Sequence, residues 1–375
     1  MKQTTRKWIS ALSLAVMALT AVTSCSMMHQ DLSDCPVGLY LTLKYDYNLQ
    51  RANMFGDHVG DVTVYVYDEH GNYVTKQTET NTEGYAPLKS PGYSMHMNLP
   101  EGKYKFIVTA GQKGYESMMA APGAKFIRNE PQPGDPIENF WVELEHSPIE
   151  GDMEGMFEVK HEGLPLDTLW HGMREEAVEV FENRPTYDTI SLMRNTKHIN
   201  VTIREMADPT EMDIADYELK ITDSNARLNW DNSVDDMHRL VYTPYRTWNT
   251  DDKEPATDMN GDPLEEVGHT GHADFMTSRI MWRSATRNTT QGNKAILTVT
   301  YNDRADGKKE VISVDLADML ARLATSAEAM YSPQEFLDRG YDYRMSFYLL
   351  NGKWKYTMLS IDVMGWAVRI DNVEL

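Results

Sequence analysis

Residues 38–47 read GLYLTLKYDY and residues 61–68 read DVTVYVYD. In the first, Leu39, Leu41 and Leu43 fall on one side of an extended chain and Tyr40, Thr42 and Lys44 on the other, because successive strand side chains point to opposite faces. In the second, Val62, Val64 and Val66 share one face in the same way. A helix would space its apolar residues three and four apart, so both stretches predict strands with a face in a core. The turn EHGNY (69–73) introduces YVTKQTET (73–80), and the pair reads as a hairpin.

The same alternation spreads outward in both directions. SMHMNLP (94–100), KYKFIVTAG (103–111), NFWVELEH (139–146) and AVEVFEN (177–183) bring the count to about seven strands before residue 186, which suits a β-sandwich. A second set begins at KHINVTIRE (197–205) and continues through YELKITDSNARLNW (217–230). There a strand, a short turn containing Asp223, Ser224 and Asn225, and another strand repeat the order seen at residues 61–74. NKAILTVTYND (293–303), EVISVDL (310–316), YDYRMSFYLL (341–350), KWKYTMLSIDV (353–363) and WAVRIDNVEL (366–375) complete it. The prediction is mainly β: two tandem β-sandwich domains, residues 37–186 and 187–375, joined in FENRPTYDT (181–189), where Pro185 interrupts the pattern. Each domain is expected to hold its own core, so a cut near Pro185 would release two compact pieces.

One segment departs from the β period. Leu316, Met319, Leu320, Leu323, Ala324 and Ala327 recur at helical spacing between Asp315 and Met330, predicting a short helical insertion that covers a sheet. After it, Ser332, Pro333 and Glu335 stand as N-cap, first helical residue and third-position acid of a capping box. Residues 249–277 are rich in acids and turn formers without a clear period and read as a long exposed loop.

The chain has 375 residues, enough for two cores, and its hydrophobic content of 41% supports packed interiors rather than disorder. Its net charge is -21, and loss of the leader cations Lys2, Arg6 and Lys7 leaves -24. Such a body repels nucleic acid and anionic headgroups. The only two cysteines, Cys25 and Cys35, exclude a disulfide scaffold and a thiolate zinc site.

Residues 1–24 carry a basic start and an apolar run from Trp8 to Val22, the pattern of a secretory signal peptide. TAVTSC (20–25) resembles the lipobox of bacterial lipoproteins, in which the cysteine is acylated and becomes the new N-terminus. Cys25 is thereby the expected lipidation site and residues 25–36 a polar, lipidated tether. Cys35 is read as an unpaired thiol with no assigned chemistry.

Enzyme motifs are missing at the required spacings. GYSMH at Gly92 ends in His96 where a nucleophile elbow needs glycine, HEGLP at His161 ends in Pro165 where a zinc motif needs histidine, and no phosphate-binding glycine loop occurs. No catalysis and no cofactor are expected. Asp258, Asn260 and Asp262, with Glu265 nearby, alternate oxygen ligands as a calcium loop does, yet Pro263 and His269 occupy the places of the required glycine and glutamate, so a solvated acidic turn is favoured. His269, His272 and Asp274 offer a short zinc-type ligand run, also read as solvent-exposed. Tyr242, Tyr245 and Trp248 could stack on sugar rings, but their spacing equally suits core positions of a strand.

CPVGLYLTLKYDYNLQRANMFGDHVGDVTVYVYDEHGNYV (35–74), DTLWHG (167–172), LMRNTKHINVTI (192–203), SPQEFLDRGYDYRMSFYLL (332–350) and IDVMGWAVR (361–369) together resemble the fimbrillin-A-associated anchor proteins of Bacteroidales type V pili. The resemblance spans nearly the whole mature chain. It implies a non-enzymatic outer-membrane lipoprotein of two transthyretin-like β-sandwiches at the base of a fimbrium, surface-exposed, holding the shaft pilin to the cell and limiting shaft length. Its partners would be the shaft pilin, other fimbrial subunits and the outer membrane through acyl chains at Cys25. The alternative is a surface lipoprotein that binds glycans through loop aromatics. DTL at Asp167 and DTI at Asp188 also resemble the short O-glycosylation motif of this phylum.

Overall fold

The computed structural model describes residues 37–151, 155–257, 262–283, 294–302, 309–323, 331–363 and 366–370. The first half contains β1 (Gly38–Tyr47), β2 (Asp61–Asp68), β3 (Tyr73–Thr80), β4 (Ser94–Met97), β5 (Gly102–Gly111), β6 (Phe126–Arg128), β7 (Trp141–Leu144), β8 (Ser147–Pro148), β9 (Phe157–Glu158), β10 (Trp170–Val180) and β11 (Pro185–Arg194). The second contains β12 (Lys197–Glu205), β13 (Tyr217–Asp223), β14 (Arg227–Asn229), β15 (Val234–Asp235), β16 (Leu240–Tyr242), β17 (Arg246–Thr257), β18 (Pro263–Thr277), β19 (Ile296–Asn302), β20 (Lys309–Asp315), β21 (Asp342–Leu350), β22 (Lys353–Val363) and β23 (Trp366–Ile370).

A seven-stranded sheet in the order β3-β2-β5-β10-β11-β1-β4 forms the first sandwich. It folds around its own core, with Leu39, Leu41 and Leu43 of β1, Val62, Val64 and Val66 of β2 and Phe106 and Val108 of β5 packed inside. Its two edge strands meet where Gln77 Nε2 of β3 donates to the His96 carbonyl of β4 at 3.1 Å. The predicted alternation therefore holds, but β2 is buried on both faces. Tyr65 and Tyr67, on its other side, pack with Tyr73 and Phe140 in a second core.

From there that second core continues between two six-stranded sheets, β17-β18-β12-β21-β22-β23 and β20-β19-β13-β16-β9-β8. Ile199, Val201 and Ile203 of β12 and Phe347 and Leu349 of β21 face Leu219 and Ile221 of β13 and Leu297 and Val299 of β19. The helix Leu316–Ala321 adds Leu316, Met319 and Leu320, with Leu323 just beyond it, all buried as their spacing predicts. Ala324 and Ala327 lie outside the described residues. The helix Pro333–Arg339 starts as its sequence predicts, with Ser332 Oγ accepting from the Glu335 N–H at 3.2 Å.

Three sequence expectations change. Residues 246–277 are a long antiparallel hairpin, β17 with β18, rather than a loop; its tip at 258–261 is not described. Its outer strand keeps Pro255 beside a register break, which a sheet edge tolerates because no partner needs that N–H. Pro185 opens a strand instead of breaking one: β11 pairs with β10 and runs parallel to β1 from Gly38↔Pro185 onward. The junction expected between residues 186 and 187 thus falls inside β11 of the first sheet. Lastly, β13 and β14 do not form the expected hairpin. Asp223, Ser224 and Asn225 are buried, β13 pairs with β16 and β19, and β14 turns away to pair with β7 and β15.

These pairings interlock the halves. A four-stranded sheet, β15-β14-β7-β6, and the pairing of β9 with β16 both mix first-half and second-half strands.

Candidate functional site

Cys25, Cys35 and the whole segment 1–36 lie outside the described residues, as do Asp258 and Asn260. The remaining motif residues take structural roles. His269 Nδ1 lies 2.9 Å from an Asp251 oxygen, and His272 Nε2 bonds Thr250 at 2.8 Å. Asp274 accepts from Asn200 Nδ2 at 2.7 Å. His269 and His272 are three positions apart on one strand and point to opposite faces, so the suspected zinc run does not converge. Tyr242 is in the core, its hydroxyl 2.7 Å from Asn225 Oδ1, and is unavailable as a sugar platform. Trp248 stacks on His272 with ring centroids 4.9 Å apart and lies under the Arg246 guanidinium. Thr168 of the DTL motif is buried, whereas Thr189 of DTI is exposed on β11.

Trp170, His171 and Gly172 of the matched block open β10 against β11. Trp170 is fully buried. A Cβ at Gly172 would sit 2.6 Å from Leu192 Cδ2 and 2.8 Å from Ile190 Cγ2, so glycine permits the close approach there. The His171 ring nitrogen Nε2 bonds the Trp230 carbonyl at 3.0 Å, and burial pushes its pKa down to about 4. The carbonyl can only accept, so Nε2 carries the proton of the neutral ring.

Around this point the halves meet through buried polar groups. Lys197 Nζ donates to the carbonyls of Arg194, Asp338 and Gly340 at 3.1, 3.0 and 2.7 Å, and burial pushes its pKa down to about 7. Asn195 and Asn232 exchange side-chain hydrogen bonds. Arg194 lies between the rings of Trp170 and Tyr341. These buried hydrogen bonds tie β11, β12, the turn after β14 and the helix Pro333–Arg339 into one joint.

Two acids are raised by desolvation: the buried Asp223 to about 7, and the partly buried Asp167 to about 6 in a cleft that also contains Lys113, Tyr115 and Arg128. Arg128 donates to Thr63 Oγ1 at 3.1 Å and stacks on Tyr115, so this one of the cleft's cations is engaged in packing. Among the described residues, neither acid is hydrogen-bonded to a serine hydroxyl or histidine ring in the arrangement that activates a nucleophile.

What the fold leaves available for assembly is sheet edge. Among the described residues, β17 and β23 bound one sheet of the second sandwich and β20 bounds the other. On β20, Lys309, Val311 and Ser313 face outward, and Val311 is 60% exposed. No described helix is long and apolar enough to cross a membrane.

The family model for fimbrillin-A associated anchor proteins, the Mfa1 and Mfa2 group, matches residues 32–372. The chain belongs to this family. It is accordingly a fimbria-associated, cell-surface structural protein and not an enzyme. No curated protein matches it. Among solved structures, a proposed adhesin from Bacteroides thetaiotaomicron is 28% identical, with a TM-score of 0.68 over 91% of this chain and 100% of that one. A second structure from that organism, described as belonging to proposed polysaccharide binding proteins, is 27% identical with a TM-score of 0.63, over 89% of this chain and 98% of that one. The fimbrial anchor protein Mfa2 from Porphyromonas gingivalis, at 15% identity, shares the fold with a TM-score of 0.52, over 89% of this chain and 99% of its own.

Sequence reading missed one convergence. Glu143, His146 and His238 bring ligand atoms within 4.8 Å of one another. The Glu-x-x-His spacing was visible in NFWVELEH, but the third member sits far along the chain.

Proposed function

We propose that this family member is the lipid-anchored outer-membrane subunit at the base of a fimbrium, acylated at Cys25, holding the shaft by strand pairing at a sheet edge and limiting its length. The observation that carries the reading is the match of residues 32–372 to an anchor family, beginning shortly after a lipobox cysteine. Residues 25–36 then serve as a tether between membrane and body. Open sheet edges supply unpaired backbone donors and acceptors for a pilin strand, and β20 combines such an edge with an exposed valine. Two sandwiches remain part of this proposal, with their boundary moved from 186/187 to the end of β11, which belongs to the first sheet, and with short strands exchanged between them.

The test is Cys25→Ser in cells lacking the shaft pilin. A body of net negative charge is not attracted to anionic lipid, so loss of the acyl chains should move the protein from the outer-membrane fraction to the soluble fraction. Persistence in the membrane fraction would overturn the anchor reading. Glycan binding through Tyr242, Tyr245 and Trp248 has less support, because Tyr242 is buried and Trp248 is already stacked.

A further inference from the structure

We propose that Glu143, His146 and His238 form a zinc site that links the two interlocked halves. Glu143 is on β7 and pairs across the strand with Arg227 of β14. The Arg227 guanidinium takes Glu143 Oε2 at 2.9 Å and rests on the Trp141 ring, which fixes the carboxylate and leaves Oε1 facing His238 Nδ1 at 3.6 Å. His146 follows the end of β7, and His238 lies in the turn leading to β16.

The imidazole of His146 is pre-set for a metal. Its Nδ1 lies 2.7 Å from the Leu144 carbonyl, which can only accept, so Nδ1 carries the hydrogen and the lone pair of the neutral ring is on Nε2. A backbone carbonyl in this supporting position is the usual way a ligating histidine is oriented. Phe157 of β9 packs against both imidazoles, with centroids 4.9 Å from His146 and 4.8 Å from His238, and the two rings are 5.0 Å apart. All three ligand residues are partly exposed to solvent, and His146 also lines a neighbouring cleft with Lys125, Glu145 and Ser147.

Two imidazole nitrogens and one carboxylate oxygen suit zinc, with open positions left for water. Calcium and magnesium favour all-oxygen shells and are poorly served by this set. The ligand atoms need to close in from their present separation, and the His238 side chain, about a third exposed, can do so by rotating toward the fixed carboxylate. The consequence is mechanical: β7 and the His146 segment come from the first half and His238 from the second, so a bound ion would tie the crossing segment to its new sheet and stabilise the folded chain by mass action.

The test is calorimetric titration of the full chain, stripped with chelator and kept in detergent, with zinc chloride. One site is expected. His146→Ala and His238→Ala should each weaken it by more than about a hundredfold, beyond what loss of a merely supporting group costs. His269→Ala, on the far hairpin, should leave it unchanged. Zinc binding that survives both replacements at His146 and His238, or no zinc binding by the parent chain, would overturn the proposal. Cobalt added to the unaltered chain gives a check independent of variant folding: strong visible d–d absorption, removed by zinc, is expected for a nitrogen-containing low-coordinate site. A weak spectrum typical of an octahedral oxygen shell would count against it.

Discussion

Arg279 and Asp338 meet in a two-pronged ion pair, Nε to Oδ1 and Nη2 to Oδ2, each at 2.8 Å. Both side chains are close to fully buried. The pair joins the end of β18 to the helix Pro333–Arg339, and the same arginine donates to the Asn232 carbonyl. Gln334 Nε2 adds a bond to Asp338 Oδ1 at 3.0 Å, while the Asp338 backbone carbonyl receives Lys197. A single helix end therefore gathers strands β12 and β18 and the turn after β14. These are the elements that must stay aligned if an edge of the second sandwich carries load while the first is tethered.

Breaking one member of that pair should cost more than removing both. Asp338→Asn leaves the buried Arg279 charge without its counterion, and a loss of about 3–5 kcal/mol of unfolding free energy is expected. The double replacement Arg279→Met with Asp338→Leu removes both charges and should recover part of that loss. Urea unfolding of the single and double variants measures both. Equal losses in Asp338→Asn and the double variant would show that packing, not charge pairing, dominates.

Lys197 offers a second test of the joint. Methionine fills a similar volume but donates nothing, so Lys197→Met would orphan three carbonyls and should cost on the order of 3 kcal/mol. Lys197→Arg keeps donors but adds bulk in a fully packed site and should also destabilise. Thermal melts of the two variants, both well below the parent, are the expected result.

Opposite pH signatures are expected of two histidines. His171 is neutral when folded down to about pH 4, whereas its unfolded form takes a proton near 6.5. The unfolded state then binds more protons, so stability falls as pH drops from about 6.5 to about 4, by about 3 kcal/mol in total. For His198, burial lowers the pKa, but the Asp342 carboxylate 2.8 Å away and Asp274 at 3.3 Å together raise it above 6.5. Its contribution is complete below 6.5 and is lost as pH rises through the raised folded value. His171→Gln should flatten the acid limb of a melting-temperature profile, and His198→Gln the fall above about pH 6.5. The two effects share no titrating group and can be read separately.

Much of the fold was legible because its long strands bury one face against a core. Leu39, Leu41 and Leu43, or Ile199, Val201 and Ile203, announce themselves by period two, and Ser332 with Pro333 and Glu335 announces a helix start. The β17–β18 hairpin was not legible over its outer part, because an edge ribbon with polar residues on its faces has no apolar period to show. The interlocking was hidden for another reason. β6, β9, β14, β15 and β16 span only two or three residues each, too few for periodicity, and although NFWVELEH showed β7 as a strand, the register of all six is set by partners distant in sequence. The trio of Glu143, His146 and His238 depends on those same pairings, so it was invisible while they were.

The interlocking predicts how the chain responds to a cut. Residues 182–184 form an exposed turn between β10 and β11 and are the natural place for a protease to nick near Pro185. Cleavage there leaves β10 in register with β5 and β11 in register with β1, so both new ends remain hydrogen-bonded into one sheet. Upstream of the nick, Tyr65, Tyr67, Phe140, Val142 and Leu144 belong to the same apolar cluster as Leu219, Leu228 and Leu240 downstream of it. At roughly 2 kcal/mol for each large side chain kept from water, that shared core far outweighs the entropy gained by releasing a fragment. The nicked chain should therefore elute as one particle in gel filtration, keep its near-ultraviolet aromatic circular dichroism and separate only in denaturant. Two compact, separately eluting pieces in native buffer would mean that β7, β9, β14 and β16 exchange no strands in solution, and that each half closes its own core.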